Sequence, residues 1–165
     1  IGEWLFLRAT PGHNVLYQRP RRLTGSMDMA WIYKEIAIEA DPLNVWSAVA
    51  DVGAPHKRLT PGILVDVHLD GDGARIVTFA DGTVARELIV TVDHDRRRFA
   101  YASVGGRATH HHASFQVFDD GDGRSRLVWI TDVLPDSLSE PIAQRVELGS
   151  AVIKRTLEQR SGSNT

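Results

Sequence analysis

Apolar and polar residues alternate along most of the middle of the chain, which predicts a succession of β-strands. Short glycine-containing segments such as Asp81-Gly82 and Gly105-Gly106 separate these strands. Because the connections are short, consecutive strands are expected to pair antiparallel as a meander. The predicted strands cover Trp31–Glu39, Ile63–Leu69, Ala74–Phe79, Thr83–Asp93, Arg97–Val104, His110–Phe118 and Ser125–Leu134.

Helical signals lie on both sides of the meander. Asp41-Pro42 is a favoured start for a helix, which Gly53-Ala54-Pro55 would end, and a second short helical turn is predicted at His56–Leu59. A long helix is predicted over Ser137–Gln159, with Gly149 on its apolar face. A glycine in a helix interior costs roughly 1 kcal/mol relative to alanine. Close approach to the sheet, or space for a ligand, would explain it.

This order of elements predicts an α+β domain over residues 31–159, in which the long helix packs on the concave face of the curved sheet. A cavity is expected between them, lined in part by Val146 and Gly149. Residues 1–30 lack periodicity and are predicted to be a disordered or non-native extension, of which residues 1–25 are expected to be dispensable for folding. A basic arm that binds a partner is the alternative. Residues 160–165 are predicted to be a disordered tail.

Composition narrows the classes of function. The chain has 165 residues, 42% of them hydrophobic and 24% charged, as is usual for one soluble domain. A net charge of −2 argues against nucleic acid as the main partner. The absence of cysteine excludes thiolate zinc sites and cysteine nucleophiles. No apolar run is long enough for a membrane span, so a cytoplasmic monomer or homodimer is expected.

Several motifs in this order resemble the START-related superfamily, which includes the birch-pollen allergens, bacterial polyketide cyclase/dehydrase-like proteins and plant abscisic acid receptors. The resemblance covers about Trp31–Gln159. It is carried by EIAIEADPLNVWSAVAD, by the turn Thr60-Pro61-Gly62, by ARELIVTVDHDRRRFAYASVGG and by Trp129. The resemblance implies a helix-grip fold, two short helices after the first strand, and a cavity for apolar small molecules.

The resemblance also implies pocket residues. Glu87 matches a glutamate on the pocket side of its strand, and Lys57 matches a position where the abscisic acid receptors place a ligand-binding lysine. Tyr101 and Ser103 match pocket-facing positions of the next strand. For Glu87 and Lys57 the alternative is an ordinary exposed residue, and Tyr101 could equally be a core aromatic. The Asp81-Gly82 turn is too short to be the receptors' ligand gate, so that mechanism does not carry over.

Three consecutive histidines follow the Gly-Gly turn. On a strand, His110 and His112 share one face and His111 takes the other. His110 and His112 are interpreted as a polar pocket wall, or as strand-end residues without a special role. A zinc site completed by Asp132 or Glu87 is the third alternative, although no metal or other cofactor is expected. If Trp129 packs on the back of the sheet, Asp132 points inward and could orient a histidine.

Three classes of function remain open. The first is binding of an apolar or amphipathic small molecule, with Lys57, Glu87, His110 and His112 holding its polar end. Lys57 is expected to lie beside Glu87 and to pair with it until a ligand carboxylate or enol competes. The second is a cyclase, lyase or dehydratase that uses Glu87, His110, His112 or Asp132 for proton transfer. The third is a protein-interaction module without a functional cavity. The sequence does not identify the ligand or a reaction.

Overall fold

The computed structural model describes residues 15–18, 30–71 and 73–161 of the chain. They form a curved antiparallel sheet and a long C-terminal helix, which confirms the predicted α+β helix-grip fold. The strands are β1 (Val15–Gln18), β2 (Ala30–Ile38), β3 (Leu64–Leu69), β4 (Ala74–Phe79), β5 (Val84–Asp93), β6 (Arg98–Val104), β7 (His110–Gly121) and β8 (Arg124–Leu134). The helices are α1 (Pro42–Val49), α2 (Pro55–Arg58) and α3 (Ser139–Ser161), with a 3-10 turn at Asp136–Leu138.

The sheet has the strand order β1-β2-β8-β7-β6-β5-β4-β3, and all neighbouring strands are antiparallel. Strands β3 to β8 follow one another as the predicted meander. Strand β2 pairs with β8 over its whole length, from Ala30↔Val133 to Ile38↔Ser125. The sheet therefore joins a strand from the N-terminal part of the domain to the last strand of the meander.

The N-terminal extension differs from the expectation in one segment. Val15–Gln18 forms a strand that pairs with β2, in the register Val15↔Lys34 to Gln18↔Trp31. The other residues of the predicted extension, apart from Ala30, lie outside the described residues. The domain boundary at residue 31 and the dispensability of residues 1–25 remain predictions.

Helix α1 begins as its sequence predicts. The Asp41 side chain accepts a hydrogen bond from the Leu43 amide at 2.8 Å, and Pro42 occupies the first turn. The helix buries Val45, Trp46 and Val49 in the main core. The indole Nε1 of Trp46 donates to Nδ1 of His94 at 3.2 Å, which links α1 to the β5–β6 turn.

Helix α3 lies against β2. Its predicted apolar face is confirmed, because Val146, Ile153 and Leu157 are all buried. It starts two residues later than predicted, after the 3-10 turn, and continues to Ser161, so the predicted tail is helical at its first two residues. No helix in the described part of the chain is long and apolar enough to cross a membrane.

A buried lysine ties α3 to β2. Lys34 is 0% exposed, and its Nζ donates to Oε2 of Glu147 at 2.8 Å. Neither residue was singled out from the sequence, since a lysine in an alternating strand is normally expected to face solvent. The buried side of β2 otherwise carries isoleucines, at Ile32, Ile36 and Ile38. The aliphatic part of the Lys34 side chain packs at the corresponding position between them.

Candidate functional site

The side of the sheet that faces α3 can be identified from Trp129. A Cβ atom placed on Gly149 of α3 would lie 2.9 Å from Cζ3 of the Trp129 ring, so Trp129 points toward the helix. The Phe115 ring lies 4.7 Å from the Trp129 ring, centroid to centroid, on the neighbouring strand. Side chains alternate along a strand, so every second residue shares this helix-facing side. On β7 and β8 these are the cross-strand pairs His111↔Val133, Ala113↔Thr131, Phe115↔Trp129 and Val117↔Leu127.

A buried ion pair occupies the helix-facing side of β4 and β5. Arg75 and Glu87 are cross-strand partners and are 5% and 6% exposed. Nε and Nη2 of Arg75 lie 2.8 and 2.7 Å from the same carboxylate oxygen, Oε2 of Glu87. The remaining Nη1 donates to the carbonyl oxygen of Val52 at 2.9 Å. The arginine therefore connects the sheet to the segment between α1 and α2.

Aromatic rings cover the arginine. Its Cζ lies 5.1 Å from the centroid of the Phe99 ring and 5.4 Å from that of Tyr101, within the range of cation–π attraction. Burial and the charge of Glu87 raise the pKa of the Tyr101 phenol above its ordinary value. The hydroxyl is therefore protonated at neutral pH and can donate a hydrogen bond.

Burial also raises the pKa of the Glu87 carboxyl above its ordinary value, while the adjacent Arg75 opposes that rise. Arginine does not lose its proton in proteins, so the charge of Arg75 is fixed and Glu87 is the partner whose charge can change. Glu87 was expected to face the pocket, and it is buried on the helix-facing side. Its predicted partner was Lys57, whereas the structure supplies Arg75.

Lys57 lies elsewhere. It is exposed on α2, and its described contact is through its main chain, whose carbonyl oxygen accepts from Nη2 of Arg160 at 3.0 Å. The predicted pairing of Lys57 with Glu87 is therefore wrong. The error follows from placing Lys57 by resemblance alone, because a residue on a four-residue helix has no periodicity that fixes the direction of its side chain.

Ser103 and His111 extend the polar surface from Glu87. Ser103 is the cross-strand partner of Glu87, and continuing the β6–β7 register by one residue places His111 opposite Ser103. Burial is the main cause of a lowered His111 pKa, and His110, Arg145 and His112 add to the effect. At neutral pH the imidazole is uncharged, with one nitrogen that donates and one that accepts.

The predicted faces of the three histidines are reversed. His112 and Asp132 are cross-strand partners with Nδ1 and Oδ2 3.9 Å apart, but they alternate with His111 and Val133 and so lie on the outer side. His110 shares that side and is exposed. The condition for an inward Asp132 is not met, because Trp129 packs toward α3 and not on the back of the sheet. His111 is the histidine on the helix-facing side.

The described residues contain no group of three or more histidine, aspartate or glutamate side chains placed to hold a metal ion. His110, His112 and Asp132 thus do not form the metal site that was one of the alternatives.

Val146 and Gly149 of α3 were expected to line a cavity between the helix and the sheet. Val146 is buried, but Gly149 is covered by the Trp129 ring, so the missing side chain serves close approach. A surface cavity of about 330 Å³ lies at a different place, where the ends of β2 and the β7–β8 hairpin meet. It is lined by Ala37, Ile38, Glu39, Asp120, Arg124 and Ser125.

Two buried polar atoms on β8 lack hydrogen-bond partners among the described residues. They are Oγ1 of Thr131 and Nε1 of Trp129, which lie two residues apart on the helix-facing side. Thr131 is 1% exposed. Neither residue was predicted to be unsatisfied, because a sequence pattern does not reveal whether a buried polar group finds a partner.

The helix-facing side thus carries five polar side chains in adjacent positions of β4 to β7, which we call the polar cluster. Its members are Arg75, Glu87, Tyr101, Ser103 and His111. Apolar and aromatic groups adjoin it, among them the partly buried Ile89 and Trp129. Such a surface can accept an amphipathic molecule with one polar end.

A family model described as polyketide cyclase/dehydrase and lipid transport matches residues 29–160. No curated protein matches the chain. Among solved structures, a norcoclaurine synthase point mutant from Thalictrum flavum, in complex with a transition state analogue, is 21% identical with a TM-score of 0.65. The match covers 82% of this chain and 98% of the synthase chain.

Two bacterial proteins of known structure are also similar to this chain. A protein from Thermobifida fusca, solved by NMR in solution, is 24% identical with a TM-score of 0.67, over 81% of this chain and 93% of that one. A START superfamily protein from Mycobacterium smegmatis is 14% identical with a TM-score of 0.63, over 82% and 99%. At these identities the likeness concerns the fold.

Proposed function

This chain belongs to the polyketide cyclase/dehydrase and lipid transport family, and from that premise we propose that it binds an amphipathic small molecule between α3 and the helix-facing side of the sheet. The polar cluster holds the polar end of the ligand, and the adjoining aromatic and aliphatic side chains hold its apolar part. The observation that carries this proposal is the buried Arg75–Glu87 pair among aromatic rings.

Stability alone is a weak reason to keep such a pair. Removing two charges from water costs about as much as their attraction returns, and apolar replacements of similar volume are often neutral or stabilising. A buried pair beside partly accessible polar groups is more useful for recognition. A ligand oxygen that approaches Arg75 would compete with Glu87, whose proton affinity burial already increases.

The ligand chemistry follows from the groups present. Arg75, the protonated Tyr101 hydroxyl, Ser103 and His111 can all donate hydrogen bonds, so the polar end should carry acceptor oxygens. Carboxylate, enol and carbonyl groups meet this requirement. Ile89, Phe99 and Trp129 provide apolar surface for a ring or an alkyl chain.

Calorimetric titration of the full chain with 2-naphthoic acid and with naphthalene-2-methanol tests the proposal. Both probes should bind, and His111→Gln and Tyr101→Phe should each weaken the acid by about three- to tenfold, the usual effect of one hydrogen bond. His112→Gln on the outer side and Lys57→Ala on α2 are the matched controls, and neither should matter. Equal effects of the control variants, or no binding of either probe, would refute the site.

A second candidate function is proton transfer on a carbonyl compound. The observation that favours it is the neutral His111 imidazole opposite Ser103, which has Glu87 as its other cross-strand neighbour on the helix-facing side. A base of this kind can remove a proton next to a carbonyl group while neighbouring donors stabilise the enolate. Deuterium incorporation into 2-tetralone in heavy water, followed by proton NMR, should be faster with wild-type protein and His110→Gln than with His111→Gln. Equal rates in all three would exclude this function for His111.

A further inference from the structure

Thr131 and Trp129 each have a side-chain hydrogen-bonding atom without a partner among the described residues. Oγ1 of Thr131 and Nε1 of Trp129 are buried without a partner on the same side of β8. Leaving a buried polar group unpaired costs roughly 1–3 kcal/mol, and most such groups in folded proteins are paired. Two of them at neighbouring positions indicate a shared occupant that the protein itself does not supply.

The neighbours of Thr131 in the sheet do not supply a charged partner. Ala113 is its cross-strand partner on β7, and Tyr101 is the partner of Ala113 on β6. In the other direction the partner of Thr131 is Ile32 on β2. Ala113 and Ile32 are both 0% exposed and have no polar side-chain atom. The Thr131 hydroxyl therefore lies between two apolar side chains.

The chemistry of the two atoms limits what they bind. The indole N–H of Trp129 can only donate a hydrogen bond, and the Thr131 hydroxyl can donate as well. Their cross-strand partners are Phe115 and Ala113 on β7, and Lys34 and Ile32 on β2. Lys34 is buried, but its charge is already paired with Glu147 at 2.8 Å. A charged oxygen would therefore be buried there without a free counter-ion, which costs more than burial of a neutral carbonyl oxygen.

We propose that Thr131 and Trp129 form a second, uncharged anchor that receives a neutral carbonyl oxygen of the ligand. This inference rests on the proposed function and deepens it, because it gives the ligand two polar ends of different chemistry. An acidic or enolic end lies at the polar cluster, and a keto, ester or amide oxygen lies at Oγ1 of Thr131 and Nε1 of Trp129.

The test compares 2-acetylnaphthalene with 2-isopropylnaphthalene, which has a similar shape but lacks the carbonyl oxygen. Wild-type protein should bind the ketone about three- to tenfold more tightly, the usual effect of one neutral hydrogen bond. Thr131→Val, which keeps the shape of the side chain and removes the hydroxyl, should abolish most of this preference. Thr131→Ser should retain it, and Thr156→Val, at a buried threonine of α3, is the matched control and should leave it unchanged.

The stability of the free protein gives a second readout. Because the Thr131 hydroxyl lacks a partner, Thr131→Val should leave the urea midpoint unchanged or raise it. A lowered midpoint with an unchanged ketone preference would show that the hydroxyl is paired internally and would overturn the anchor. Equal binding of both probes to wild-type protein would overturn the anchor and leave the proposed function standing. Binding of neither probe, together with no binding of 2-naphthoic acid, would overturn both.

Discussion

Arg75 and Glu87 face each other across β4 and β5, with two guanidinium nitrogens 2.7 and 2.8 Å from one carboxylate oxygen. Both residues are at least nine-tenths buried. On the opposite side of the sheet, the adjacent Arg86 pairs with Asp70 at 2.7 Å, but that pair is close to half exposed. The two pairs differ in burial and not in chemistry, so they form a natural comparison.

Breaking the buried pair should cost far more stability than breaking the exposed one. Arg75→Gln leaves an unpaired carboxylate in the interior and should lower the free energy of unfolding by about 3–5 kcal/mol. Arg86→Gln should change it by less than about 1 kcal/mol. Urea denaturation of both variants measures the difference. Similar losses in the two would mean that the Arg75–Glu87 pair is solvated in solution.

The Gly149 position should resist even a single methyl group. Gly149→Ala normally stabilises a helix by about 1 kcal/mol, but here the Cβ atom would lie 2.9 Å from the Trp129 ring. Overpacking of this kind typically costs about 1–3 kcal/mol, so a net loss of stability is expected. In a Trp129→Phe background, where the ring is smaller, the same substitution should be neutral or stabilising. A gain in stability with Trp129 present would show that the ring moves away freely.

The lowered His111 pKa predicts a dependence of stability on pH. Protonation is less favourable in the folded state than in the unfolded state, where the pKa is about 6.5. The stabilisation is therefore fully present above that value and is lost as pH falls through the folded-state pKa. The unfolding free energy should decline from pH 7.5 to pH 5, and His111→Gln should reduce this decline. His110→Gln, at an exposed position of the same strand, should reduce it less.

The short strand β1 bears on the N-terminal boundary. A chain that starts at Met27 loses the pairing of Val15–Gln18 with β2 but keeps β2 itself. Because a four-residue edge strand adds few contacts, we expect this chain to fold and to keep its melting temperature within a few degrees. A larger fall would place the N-terminal segment inside the folding unit.

The fold was accessible from the sequence because alternation, turn glycines and helix caps all favour the same elements. Strand β4 matches its predicted bounds, and α1 has the predicted Asp41-Pro42 start. These features are local, so each can be read from a few neighbouring residues.

The site was less accessible because it depends on which side of the sheet the helix covers. Asp132 was expected to point inward only if Trp129 packed on the back of the sheet, and Trp129 packs toward α3 instead. Alternation along β7 shows which histidines share a face but not which face the helix covers, so His110 and His112 were chosen where the structure has His111. Arg75 was overlooked because an arginine in an alternating strand is usually exposed. Its position opposite Glu87 was the available signal, since the Asp81-Gly82 hairpin fixes the β4–β5 register.

The most direct test of the account is a titration of isotopically labelled protein with 2-naphthoic acid, followed by amide NMR shifts. The account predicts the largest changes around the polar cluster, at Glu87, Tyr101, Ser103 and His111, together with the first half of α3. Shifts centred on the outer-side residues His112 and Asp132, or on the surface cavity near Arg124, would contradict it. So would an unchanged spectrum at saturating probe.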